Sequence, residues 1–426
     1  MRAVILADFA APSGGAPKVA MESARALAEA GVSVTYVHAI GDADHPLLGH
    51  PLVRRIGFGF PDIWDLPLAK AAASGIWHRN AARALERVLS QLPPGPTVLH
   101  LHQWTRGFSP SVFRVLQRAP HPLAVTMHDY FLACPNGVYY RFDRDQPCAL
   151  TPLSPACIAA PCDPKSMAHK GVRVLRAVAT RAAIRSGGFD LIHVSDRGRD
   201  TIAPFLPPGL RHHRVDNPVQ TSRAAPARIG AGSRIAYVGR LTREKGADLV
   251  ARAAREAGVR ALFVGEGPLE TEIRAIDPQP EMIGWRTPAE VDRLLREEAR
   301  AVAAPSRWYE TGPLTIYEAM AAGLPAVASG RSGAAEKVVH GETGFVVEPT
   351  VPALAQAFAA LGNVDLAQRM GRAAYERYWA APPTAAAHAA ALVGVYESML
   401  AAARTPARAA ATGLGAAGTA SRSTAA

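Results

Sequence analysis

The stretch Ser306-Arg307-Trp308-Tyr309-Glu310-Thr311-Gly312-Pro313-Leu314-Thr315-Ile316-Tyr317-Glu318-Ala319-Met320 decides how this chain is read. Gly312 and Pro313 mark a helix start, because a proline at the first helical position gives up no intrahelical hydrogen bond. The free N–H groups from Thr311 through Leu314 to Thr315, with the positive end of the helix dipole, form an anion site. Two carboxylates flank it. Glu310 precedes the start, and Glu318 lies about six residues into the expected helix, roughly 9 Å along at 1.5 Å per residue. That span matches a sugar ring, a diphosphate and a ribose, although a solvated helix face accounts for such carboxylate pairs as well.

The surrounding segments narrow the choice. Downstream, Ala322-Gly323-Leu324-Pro325-Ala326-Val327-Ala328-Ser329 reads as a turn and a buried strand, followed by Gly333-Ala334-Ala335-Glu336 and Gly341-Glu342-Thr343-Gly344-Phe345. Upstream, Tyr237-Val238-Gly239-Arg240-Leu241-Thr242-Arg243-Glu244-Lys245-Gly246 is a strand that ends at Gly239, where backbone can approach a ligand closely. Arg240 then offers a bidentate fork for phosphate and Lys245 a compact charge. Fixed cations there would stabilise a departing diphosphate, the work a divalent metal does elsewhere. Gly265-Glu266-Gly267-Pro268 follows the next strand, where a tight turn explains the glycines by itself. At Ile283-Gly284-Trp285-Arg286, Trp285 could flank a base or pack in the core.

The chain has 426 residues, which argues for two domains of about 200 residues each. With 49% hydrophobic and 19% charged residues it reads as a folded protein with sizeable cores. No run of 18 apolar residues implies a membrane span. Met1–Asp8 enters a strand without a cleavage-site pattern, so a cytoplasmic location is expected. The net charge of +11 is uneven: residues 1–220 carry 24 Lys/Arg against 16 Asp/Glu. A basic first half suits an anionic partner such as a lipid surface or phosphorylated acceptor, or reflects composition bias. Nucleic acid is not expected, because no motif for it appears. Cys134, Cys148, Cys157 and Cys162 cluster, but only the last two approach ligand spacing; free thiols are expected ahead of a metal site that His128 and His169 would complete.

Strand and helix alternate along the first half: strands at Val4–Asp8, Ser33–Ile40, Thr97–Leu101, Leu123–Met127 and Leu191–Val194, helices at Lys18–Ala30 and Ala81–Gln91. Residues 221–233 read as a linker. Alternation restarts with strands at Ile235–Val238, Ala261–Val264, Met282–Ile283, Ala301–Ala304 and Ala326–Ala328, and a helix over Pro313–Ala322. This pattern predicts an α/β protein with two doubly wound parallel sheets and ligands at the carboxyl ends of the strands. The expected division is 1–220, a second domain at 234–382, a helix over 383–403 and a tail over 404–426 without a core-forming pattern.

In the first half, Gly14-Gly15 makes a loop without side chains ahead of a helix start, which can face phosphates. It is not the GxGxxG pattern of a dinucleotide site. His128 ends a strand, at the edge of the expected cleft. His100 and His102 share one side of the preceding strand, His102 nearer the cleft. Asp42-Ala43-Asp44 and Asp143-Arg144-Asp145 have metal-binding spacing, but the motifs of the second half argue against a metal-dependent single-domain enzyme. Lys165–Arg185 reads as a basic amphipathic helix that either packs its Val174, Leu175, Val178 and Ala182 side on the sheet or lies on an anionic membrane. Phe58, Phe60, Ile63 and Trp64 form an aromatic loop, for core or acceptor.

The spacing of Glu310 and Glu318 and the motifs around it resemble family-4 retaining glycosyltransferases of the GT-B fold. The resemblance implies two Rossmann-like domains facing a cleft, with the helix over 383–403 crossing back to the first. It implies transfer from a UDP- or GDP-sugar to a polysaccharide, lipid-linked or other glycan acceptor, with retention and without a cofactor or metal. It assigns the donor sugar to Glu310 and His128, the ribose to Glu318 and the diphosphate to Arg240 and Lys245. Gly14, Gly15, Gly239, Gly265, Ile283, Thr311, Gly312, Pro313 and Leu314 would complete the donor site. A glycoside hydrolase using Glu310 and Glu318, a phosphorylase or epimerase, and a silent GT-B scaffold stay open.

Overall fold

Parallel strands need crossover connections, and the apolar β-branched runs separated by helical segments supply them. The computed structural model describes residues 1–41, 44–230, 234–276, 280–312 and 314–412, the last nine of these by backbone alone. The first half runs β1 (Arg2–Phe9), α1 (Gly15–Glu29), β2 (Ser33–Ile40), β3 (Val53–Gly57), α2 (Leu68–Ile76), α3 (Arg79–Ser90) and β4 (Thr97–Leu101). It continues with α4 (Ser111–Arg118), β5 (Leu123–Met127), β6 (Tyr140–Arg141), β7 (Gln146–Pro147), α5 (Pro155–Ala159), α6 (Met167–Ile184), β8 (Asp190–His193), α7 (Asp196–Ile202) and β9 (His212–Arg214).

The second half holds β10 (Arg234–Val238), α8 (Ala247–Glu256), β11 (Arg260–Val264), α9 (Glu270–Ile276), β12 (Glu281–Gly284), α10 (Pro288–Glu298) and β13 (Ala299–Ala304). After these come α11 (Thr315–Ala322), β14 (Ala326–Ser329), β15 (Gly344–Val347), α12 (Val351–Ala360), α13 (Val364–Ala380) and α14 (Ala385–Thr412). The strand orders are β3-β2-β1-β4-β5-β8-β9 and β12-β11-β10-β13-β14-β15, with β6 and β7 as a separate antiparallel ribbon. Both sheets share one winding, in which the chain leaves from a central strand and later restarts on its other side. The carboxyl ends flanking each crossover are where ligand-binding loops gather. All ten of the expected strands form; β3, β9 and β15 at the sheet edges and the two-residue strands β6 and β7 are additional, each too short to show a clear periodicity.

The last helix returns to the first sheet. Leu392, Tyr396 and Met399 are buried in the cluster formed by β1, β2 and α1. The Tyr396 hydroxyl is 2.6 Å from His100 Nδ1, and His388 Nε2 is 2.8 Å from Ser23 Oγ on α1. His100 is therefore a core residue that anchors this helix. Ala385–Ala403 is the one helix among the described residues with the length and hydropathy to cross a membrane. Its buried side chains are Ala389 and those just named, which face the first sheet. The helix also continues to Thr412, past the expected end at 403; residues 413–426 of the expected tail lie outside the described residues, as do 231–233 of the linker.

Two further expectations are corrected. Helix α11 starts at Thr315, after Leu314 in a helical turn, so Glu318 falls in its first turn rather than six residues along. Helix α6 is turned over relative to a packed apolar face: Lys170 and Arg176 are buried, while Leu175 is 56% and Val178 49% exposed. Specific polar partners outweigh hydrophobicity here. Lys170 Nζ donates to Cys162 Sγ at 2.9 Å, and Arg176 Nη1 donates to the Thr105 carbonyl at 3.2 Å beneath the Phe131 ring.

Close strand approach sets one glycine. Gly265 follows β11 at φ +137°, and a Cβ there would sit 2.1 Å from the Gly239 carbonyl oxygen. Gly265→Ala should therefore lower unfolding stability by about 3 kcal/mol or more, the range of severe backbone and packing changes. Gly15→Ala, with nothing within 4 Å of the added carbon, should leave it nearly unchanged. Denaturant unfolding of the two variants checks this.

Candidate functional site

The loops that follow β10 and β13 lie side by side because those strands pair in parallel. Lys245 leaves the first loop and Glu310 the second, and they meet as an ion pair. The other Glu310 oxygen accepts from Ser306 Oγ at 2.5 Å, and the Lys245 ammonium lies 5.8 Å from the Trp308 ring. Ser306 was not singled out from sequence; its position four residues before Glu310 was the available signal.

A buried carboxylate holds both loops. Asp248 on α8 accepts two hydrogen bonds from Arg307, both at 2.6 Å, and pairs with Arg243 at 3.2 Å. Burial alone would push its pKa up, but the Arg307 and Arg243 guanidinium groups outweigh it and hold the carboxyl below its usual range. Arg243 also pairs with Glu272 and, across the halves, with Asp145 at 3.5 Å. Asp143 is taken by Arg141. The Asp143-Arg144-Asp145 spacing thus serves two separate ion pairs, and Asp42 lies outside the described residues. Among the described residues no group of three or more His, Cys, Asp or Glu is placed to hold a metal ion, and all four cysteines are free.

The first half meets this centre at His128. Thr311 Oγ1 donates to the His128 carbonyl at 3.0 Å, so the residue after Glu310 touches the end of β5. Gly333 N donates to the Glu310 carbonyl at 2.8 Å, and a Cβ on Gly333 would strike the Thr311 carbonyl at 2.1 Å. The His128 ring is 2.9 Å from His102 Nδ1 through Nε2 and stacks on that ring, while His102 is tilted 42° against His100 with centroids 4.1 Å apart. Burial drives His100 and His128 down to about 3, with neighbouring imidazoles adding to it, and lowers His102 as well. Asp129, next along, is pushed up to about 6, chiefly by burial.

The remaining residues spread around this core. Glu318 is partly enclosed; burial raises its carboxyl, and Lys18 on α1 opposes that rise across the gap between the halves. Lys18 was not anticipated as a neighbour. Arg240 is 67% exposed, with only a 3.7 Å pairing to Glu244. Gly14 and Gly15 are exposed at the start of α1. Gly239 and Gly265 pack backbone on backbone, Ile283 lies in β12, and Trp285 is 66% exposed rather than packed. Gly312 sits 3.4 Å from Val194 by its would-be Cβ, and Leu314 caps α11. Pro313 lies outside the described residues.

Two Rossmann-like parallel sheets, with a carboxylate–lysine pair in the loops of the second held against the end of β5 in the first, define a GT-B protein. Sucrose-phosphate synthase from Thermosynechococcus elongatus superposes over 94% of this chain and 100% of its own, with a TM-score of 0.68 at 19% identity. HepE of Anabaena, solved with UDP, covers 93% of this chain and 100% of its own at 0.65 and 16%. Residues 220–377 match the family described as glycosyl transferases group 1. The D-inositol 3-phosphate glycosyltransferase of Corynebacterium efficiens is 30% identical over 320 residues, 67% of this chain and 69% of that protein. The chain belongs to the group 1 glycosyl transferases. It spans only 41% of the length of WcaL of Escherichia coli, at 33% identity over 34% of this chain.

Two outcomes follow from the geometry. Asp248→Ala strands Arg307 and part of Arg243, and should cost about 3–5 kcal/mol in denaturant unfolding. The unfolded imidazoles protonate near pH 6.5 but His100 and His128 wait until about 3, so their contribution to stability is present above 6.5 and is lost as pH falls toward 3. Asp129 acts in the opposite direction, so the ring resonances are the direct check: both rings should stay neutral from pH 8 to 5.

Proposed function

We propose that this chain is a family-4 retaining glycosyltransferase that moves a sugar from a UDP- or GDP-sugar to a polysaccharide, lipid-linked or other glycan acceptor. The observation that carries this reading is the 3.0 Å contact from Thr311 to the His128 carbonyl, which sets the Glu310–Lys245 pair against the end of β5. Sugar and diphosphate need opposite chemistry, acceptors for hydroxyls and cations for phosphate, and this pair supplies one of each. In the free protein each charge neutralises the other. An arriving diphosphate would draw off Lys245 and release Glu310 to the sugar hydroxyls. Solved HepE with UDP supports a uridine donor.

In this mechanism Lys245, the exposed Arg240 and the N–H groups at the start of α11 stabilise the leaving diphosphate, so no metal is required. His128, kept neutral by burial, can accept a hydroxyl hydrogen or donate one as positive charge builds at the anomeric carbon. Glu318 takes the ribose hydroxyls. The loops at Gly14–Gly15, Gly239, Gly265, Ile283 and Thr311–Leu314 border the donor. Retention would follow a front-face displacement in which a leaving phosphate oxygen takes the acceptor proton. A hydrolase pairing of Glu310 with Glu318 is disfavoured, since both Glu310 oxygens are engaged by Lys245 and Ser306 and Glu318 faces Lys18 instead.

The division assigned to the chain is 1–220 for the acceptor side, 221–233 for the linker, 234–382 for the donor side and 383–403 for the crossover. A cytoplasmic location with peripheral membrane contact accords with this role. Calorimetric titration with UDP, GDP, ADP and TDP, without metal, tests the donor site. One nucleotide should bind in the micromolar range, and binding by none would overturn the reading. Lys245→Ala and Glu310→Gln should each cut turnover at least 100-fold, the scale of losing one transition-state contact, with unfolding midpoints near those of the parent.

A further inference from the structure

Helix α6 buries two cations beside Ala177, Ala183 and Ile184 and exposes three of its large apolar side chains. Its buried side holds Lys170, at 1% exposure, and Arg176, while Met167, Leu175 and Val178 face outward. Arg173 turns aside to Asp163 at 2.7 Å. Helix α2 packs along α6, and the turn entering it adds Trp64 at 57% exposure and Leu68 at 45%. These five residues are half of the exposed large apolar side chains among the described residues. Single exposed apolar residues need no explanation, but several on two adjacent helices mark an interaction face.

The charge around that face is mainly positive, with the exposed Asp65 beside Trp64 as its acidic member. Lys70, Lys165, Arg181 and Arg185 are exposed on the two helices and beside them, and no Asp or Glu occurs between residues 164 and 189. Lys165 Nζ lies 4.9 Å from the Trp64 ring, placing a cation beside an amphipathic aromatic. Apolar side chains flanked by an excess of Lys and Arg, with Trp at the edge, match the interface of an anionic bilayer, where the apolar groups enter the acyl boundary and the cations meet headgroups.

The face also reaches the cleft. The Arg106 guanidinium lies 3.5 Å from the Trp64 ring and 5.3 Å from that of Phe9, the last residue of β1. We infer that the outward face of α6 and α2, with Trp64, docks the protein on an anionic membrane surface and presents the cleft to a lipid-linked acceptor. This rests on the transferase reading for the acceptor, while the docking itself does not.

The test is flotation of the full chain with vesicles of phosphatidylcholine alone or with added phosphatidylglycerol, beside nucleotide titration of the same samples. Binding to the anionic vesicles is expected, weakening as salt rises. Leu175→Glu with Val178→Glu should abolish it, and Arg181→Gln with Arg185→Gln should weaken it about fivefold per cation removed, from about 1 kcal/mol each. Both variants should keep nucleotide affinity, since neither touches the donor site. Docking is overturned if the parent ignores anionic vesicles while binding nucleotide, or if the variants float as the parent does. It is equally overturned if the glutamates only convert a dimer to a monomer by light scattering. Loss of nucleotide binding by the parent would instead count against the donor site.

Discussion

The site depends on one desolvated carboxylate. Asp248 lies behind the loops after β10 and β13 and binds Arg307 twice and Arg243 once. Parallel pairing brings the two loops near each other, but it does not fix their side chains. A buried anion with two guanidinium groups does, because any displacement leaves an uncompensated charge in a poorly solvated place. Lys245 and Glu310 inherit their positions from this clamp. Arg243 extends it to Asp145 of the first half, so the same network that shapes the Lys245–Glu310 site also touches the first half.

The contact between the halves has a consistent character. Thr311 meets a backbone carbonyl, Glu336 accepts from the N–H groups of Asp196 and Arg197, and Lys337 pairs with Asp216 at 2.7 Å. These are polar, partly exposed contacts, the kind that two domains can break and remake. The apolar link is made elsewhere, by Leu392, Tyr396 and Met399 of α14. Polar contacts between the halves, tethered by an apolar strap, can open and close without losing the assembly.

Local pattern failed where tertiary partners were the deciding term. The helical wheel of residues 165–185 sets the basic residues opposite Leu175, Val178 and Ala182, yet Arg181 and Arg185 are exposed beside those three, while Lys170 and Arg176 go inward with Ala177, Ala183 and Ile184 to meet Cys162, Thr105 and Phe131. The same holds for His100 and His102. Their shared side was legible from strand alternation, but the Tyr396 hydroxyl that claims His100 comes from 296 residues away. Trp285 shows the opposite case, a residue open to two readings that the fold leaves exposed.

The sequence by itself determined the two runs of strand and helix, the glycine-terminated strands and the carboxylate pair on either side of a helix start. These are local matters of periodicity, backbone freedom and capping, which a few adjacent residues decide. Only the tertiary structure decided that Lys245 meets Glu310, that His128 meets Thr311, that Glu318 sits in a first turn opposite Lys18, and which way α6 faces. Those outcomes depend on parallel strands carrying distant segments to a common end, and on buried charges choosing partners that no sequence spacing records.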